Sequence, residues 1–140
     1  MSPVEVMVLA LLGGALGLDT VSFPQAMLSR PIVGGTLAGA LVGHPAAGLL
    51  VGATLELFAV ETLPFGASRY PEWGSASVVG GVLFASEAGL QAGRLCTAVL
   101  ATLVVAWIGG WSMVQLRRLN ARWARTRHDA VARGMRRTVI

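Results

Sequence analysis

The sequence predicts an all-α integral membrane protein with several transmembrane helices, a re-entrant helical hairpin and a basic cytoplasmic tail helix. Three observations carry that expectation. Hydrophobic residues make up 54% of the 140 residues and charged residues 13%, well below the ~25% of a soluble domain. Mean hydropathy is +0.67. Charge is also segregated: every basic residue is Arg, and eight of the 11 lie after Leu116, against one acid there, Asp129. By the positive-inside rule such a block stays in the cytoplasm. The chain therefore divides into a membrane-embedded part, 1–116, and a basic interfacial helix, 117–140. A basic block that directly follows an apolar span suits an anionic membrane surface, and no folded nucleic-acid module is visible, so no nucleic-acid partner is expected.

The elements follow in order. Val6 to Leu18 is apolar, bracketed by Glu5 and Asp19. It is shorter than the ~20 residues of a full span, so it tilts or ends inside the protein. Neither a basic n-region nor a small-residue cleavage site accompanies it, and a removable signal peptide is not expected. Asp19 to Pro31 is studded with polar residues and two prolines, which membrane depth tolerates only beside protein or a watery cavity. Ile32 to Val60 is apolar but broken at "GHPAAG", Gly43 to Gly48. Each arm of about 12 residues is too short for a core of about 30 Å, hence the re-entrant hairpin.

A loop containing Pro64 and Tyr70 follows, then an apolar stretch from Ser77 to Leu90. Leu95 to Met113 is the clearest span, 19 residues without a charge, with Trp107 and Trp111 towards its cytoplasmic end. Residues 117–137 form a basic helix in which Leu116, Leu119, Trp123 and Ala130 share a face and lie along the headgroups. If the hairpin does not cross, three crossings remain and the amino terminus is outside. Cys96 has no partner for a disulfide and reads as a small packing residue.

Carboxylates inside such a chain are the candidate functional groups, because an ionised acid in hydrocarbon needs a partner or a wet cavity. Glu56 heads the candidates: a carboxylate accepts two hydroxyl hydrogen bonds. Its alternative role is structural, paired with Arg30 or satisfied by hairpin N–H groups. Gln25 offers both donor and acceptor. Asp19 accepts a hydroxyl or caps the next helix. Arg30, before Pro31, opens the hairpin helix and neutralises Glu56 or Asp19 as a supporting charge. Glu61, His44 and His128 read as solvated residues, and Trp73 and Tyr70 as loop anchors. There is no metal-ligand pattern, no nucleophile–base pair and no phosphate-cradling loop, so no metal, cofactor or catalytic residue is expected.

The run "LDTVSFPQAMLSRPIVGGTLAGALVG", followed by "GLLVGATLEL" and "LPFGASRYPE", resembles the IIC membrane subunit of mannose-family (mannose/fructose/sorbose) sugar phosphotransferase systems, specifically its amino-terminal half. The matching positions are Asp19, Gln25, Arg30-Pro31, Gly35-Thr36-Leu37, Gly39, Gly43, Gly52, Leu55-Glu56-Leu57, Gly66-Ala67 and Pro71. The resemblance implies a permease that binds and translocates a hexose-type sugar at Glu56, Gln25 and Asp19. Its partners would be a IID membrane subunit and cytoplasmic IIB and IIA phosphocarriers, with IIB phosphorylating the sugar and no phosphorylated residue in this chain. It further implies a multi-pass protein of the bacterial inner membrane, assembled as a homo-oligomer. Glu61 stands where the family has Gly, and Pro64 where many members have Asn. These departures and the short chain fit an alternative: a truncated, non-transporting assembly or regulatory subunit.

Overall fold

The computed structural model describes residues 1–19, 26–62, 70–86 and 91–137, with side chains up to His128. All regular structure among the described residues is helical: α1 (Pro3–Asp19), α2 (Pro31–Leu41), α3 (Pro45–Val60), α4 (Trp73–Ala85) and α5 (Ala92–Arg137). The expected all-α class holds at that level. Among the described residues one helix, α5, is long and apolar enough to cross a membrane.

Local sequence explains the boundaries of the hairpin. Pro31 and Pro45 each occupy the first turn of a helix, where the missing N–H costs nothing and the fixed φ suits the helix. Between them α2 ends in a Schellman turn. The His44 N–H donates to the Gly39 carbonyl at 2.8 Å and the Gly43 N–H to Ala40 at 3.1 Å, while Gly43 takes φ +86°. The chain reverses over Val42–Gly43–His44 alone. The interruption read from Gly43 to Gly48 is therefore shorter than expected, because Pro45 starts α3 and does not prolong the break. The arms have 11 and 16 residues.

Glycine lets the two arms nearly touch. A Cβ on Gly39 would lie 2.6 Å from the Gly48 Cα, and one on Gly35 would lie 2.9 Å from the Gly52 Cα. Gly35/Gly39 and Gly48/Gly52 each repeat every four residues, so each pair forms a strip along one helix face. The antiparallel seam is built from backbone, as in small-residue membrane contacts.

Helix α4 is central and packs on each of the other four. One cluster beside it joins Val51, Leu55, Phe84, Ala98 and Val99; the other joins Leu9, Leu16, Ala38 and Val78. The buried hydroxyls of Ser77 and Thr102 donate to carbonyls of their own helices, Gly74 and Ala98, at 2.8 and 2.7 Å. Large apolar residues face outward instead, including Leu11, Leu57, Leu100 and Ile108. Cys96 is also exposed, so it does not pack internally as the sequence suggested.

Helix α5 has 46 residues, about 69 Å at 1.5 Å per residue. Its apolar start and its basic end, read in the sequence as two segments meeting at Leu116, belong to one unbroken helix.

Candidate functional site

Asp19, Arg30, Glu56 and Glu72 gather at one end of the bundle. There α1 and α3 finish, α2 and α4 begin, and α5 passes by on its way to its basic extension.

Asp19, the last residue of α1, is buried at 6% exposure. One carboxylate oxygen accepts from the Ala26 N–H at 2.8 Å; the other accepts from Leu28 at 2.8 Å and Ser29 at 3.2 Å. These N–H groups belong to the turn ahead of α2, in which Met27 adopts φ 59°. A side chain with both oxygens aimed at successive amides holds such a left-handed turn in place. The turn delivers Arg30, the N-cap of α2, in extended conformation.

Arg30 forms an ion pair with Glu56 of α3. The other Glu56 oxygen accepts from the Ile32 N–H at 3.2 Å, one of the amides a helix start leaves without an internal partner. Helical spacing makes this contact possible. Glu56 lies four residues beyond Gly52 and therefore follows Gly48 and Gly52 down the seam, where it meets the first turn of α2. The negative carboxylate also suits the positive end of the α2 dipole.

Three of the residues singled out from the sequence, Asp19, Arg30 and Glu56, are thus linked through one turn. The fourth, Gln25, lies outside the described residues, as does Pro64. Glu61 caps the end of α3 and is exposed. Trp73 donates from Nε1 to the Thr62 hydroxyl at 2.7 Å, tying the start of α4 to the end of α3. The Arg117 guanidinium lies 5.6 Å from the centre of the Tyr70 ring.

Glu72 is not among the residues that the sequence singles out. It is 8% exposed and caps α4, accepting from the Ser75 N–H at 3.1 Å and from the Ser75 hydroxyl. Its own N–H donates to the Ala106 carbonyl of α5 at 2.9 Å. Gly17, Gly74 and Gly109 surround its side chain. An acid placed three residues ahead of Ser75, just before an apolar run, was the available signal.

Chemically the end offers carboxylates and a guanidinium, which suit a ligand rich in hydroxyls. No group of three or more metal-ligating side chains occurs among the described residues.

An apolar exterior, glycine seams and one helix long and apolar enough to cross a membrane are the features of a membrane-integral helical protein. Comparison with known proteins makes the class specific. Residues 3–139 match the family described as the PTS system sorbose-specific IIC component, and the chain belongs to that family. Two relatives illustrate it. The fructose permease IIC component of Bacillus subtilis (strain 168) is 30% identical over 83 residues, 59% of this chain and 30% of the relative. The sorbose-specific EIIC component of Lacticaseibacillus casei is 26% identical over 82 residues, 59% of this chain and 29% of the relative. These matched stretches amount to less than a third of each relative's length. No solved structure matches the chain.

Proposed function

We propose that this chain serves as the sugar-conducting IIC subunit of a phosphotransferase system, with Glu56, Gln25 and Asp19 contacting a hexose-type sugar and Arg30 as supporting charge. The observation that carries the reading is the Arg30–Glu56 pair at the mouth of a broken, glycine-seamed hairpin. Glu56 keeps 17% of its side chain exposed and Arg30 43%, so sugar hydroxyls can exchange with the existing contacts without disrupting the seam. Broken helices with free ends at membrane depth are how other transporters build substrate sites. In this reading the hairpin is re-entrant, other helices cross the bacterial inner membrane, and the basic end of α5 is cytoplasmic. A IID subunit completes the cavity, IIB phosphorylates the sugar on the cytoplasmic side, and the chain assembles as a homo-oligomer.

A second reading is a non-transporting assembly or regulatory subunit. It is favoured by the extent to which Asp19 and Glu56 already have partners within the protein. The deciding experiment is binding of a sugar panel, with fructose and sorbose beside other hexoses and hexosamines, to the chain in lipid nanodiscs, alone and with its IID partner. Saturable binding by the wild type that Glu56→Gln abolishes, with helicity retained, supports the permease. No binding by the wild type even with IID present supports the second reading.

A further inference from the structure

We propose that the face of α5 formed by Gln115, Arg118, Leu119 and Arg122 binds an anionic phospholipid, with its phosphate between the two guanidiniums and its acyl chain along the leucines. These four residues stand at i, i+3, i+4 and i+7, and with Leu116 they line a groove of about 390 Å³.

The arginines around this groove are not equivalent. Arg117 is committed internally, through the Tyr70 ring and a bond from its Nε to the Met113 carbonyl at 3.4 Å. Arg118 and Arg122 are exposed, and among the described residues no carboxylate forms an ion pair with either. Two like charges one turn apart disfavour a helix, and an anion between them removes that penalty. Arginine forks match phosphate oxygens in pairs.

Position and lining point to a lipid as the source of the phosphate. Trp107 and Trp111 are half exposed, as in an interfacial aromatic belt. Arg118 lies seven residues beyond Trp111, about 11 Å along the helix axis, which is headgroup depth for a crossing helix. Leu116 and Leu119 are 51% and 43% exposed beside the guanidiniums. A soluble phosphate has no use for them, whereas a phospholipid covers them with its glycerol and first methylenes.

The proposal rests on α5 crossing the bilayer and is independent of any sugar site, so the two can fail separately. The test is native mass spectrometry of the purified full chain titrated with phosphatidylglycerol or phosphatidylcholine. The wild type retains phosphatidylglycerol in preference. Arg118→Gln with Arg122→Gln weakens that retention about 25-fold, at about fivefold per guanidinium. Arg118→Lys with Arg122→Lys, which keeps charge but loses the planar fork, falls between. Arg127→Gln, about 180° around the helix from Arg118, removes a charge from the opposite face and retains wild-type binding. A loss of about fivefold in Arg127→Gln would overturn the proposal in favour of diffuse charge. Displacement of the lipid by equimolar inorganic phosphate would overturn it in favour of a soluble anion.

Discussion

The Glu56 carboxylate on α3 accepts the Ile32 N–H at the start of α2, 3.2 Å away, while its second oxygen pairs with Arg30. One side chain therefore closes the open end of the hairpin in two separable ways. Glu56→Gln removes the ion pair but keeps an oxygen for the Ile32 N–H. With Arg30 substantially exposed, that loss is about 1 kcal/mol or less. Glu56→Ala also strands the N–H and costs about 1–3 kcal/mol more. Thermal unfolding in detergent should rank wild type, then Gln, then Ala. Equal midpoints for the two variants would mean that the helix cap contributes nothing.

The glycine seam makes a sharper prediction. Gly39→Ala places a methyl against the Gly48 backbone, 2.6 Å from its Cα and 2.8 Å from its N, and neither helix can yield locally. The arms must separate, at a cost of about 1–3 kcal/mol. Gly14→Ala in α1, where nothing lies within 4 Å of the new Cβ, should stabilise by up to about 1 kcal/mol through helix propensity. Opposite shifts in melting temperature are expected, and a shared sign would undermine the packing argument.

Asp19 and Glu56 should behave as coupled residues although they do not touch. Asp19 fixes the turn that presents Arg30, so Asp19→Asn, which replaces one acceptor oxygen by a donor, loosens both. The single change should cost about 2–3 kcal/mol, because charge-assisted backbone bonds are lost. Combined with Glu56→Gln, the total should fall short of the sum, since the ion pair is already weakened when Glu56 changes. A double-mutant cycle reads this directly, and additivity within about 0.5 kcal/mol would leave the two sites independent.

How much of this was legible depended on whether the signal was local. The hairpin break was readable because Gly43 and Pro45 act within one turn of chain. The break is shorter than its composition suggests because Pro45, a turn signal in sequence, is well placed at a helix start. The continuity of α5 was hidden by the change of composition at Leu116, yet the Arg, Leu, Ala and Met residues of its basic half are strong helix formers. The partners of Glu56 needed the register between α2 and α3, which the four-residue glycine spacing holds only once the two arms are paired. Glu72 was the least legible. Its burial depends on Gly109 and Ala106, more than 30 positions away, and no local pattern announces that contact.

That distant contact supplies the last prediction. Tyr70, Pro71 and Glu72 lie against α5 because Gly109 and Gly110 have no side chains there; a Cβ on Gly109 would come within 3.0 Å of the Glu72 Cβ, and one on Gly110 would collide with the Tyr70 carbonyl. Gly110→Ala should therefore push the segment away from the helix. The Glu72 N–H then loses the Ala106 carbonyl, now at 2.9 Å, and Arg117 loses its ring. The expected cost is about 1–3 kcal/mol, with faster hydrogen exchange at the Glu72 amide. Gly93→Ala, on the same helix with nothing within 4 Å, should leave that amide unchanged and, if anything, stabilise the helix. Exchange at Glu72 that stays slow in Gly110→Ala would mean that the segment is held by its cap on α4, and that its contact with α5 is incidental.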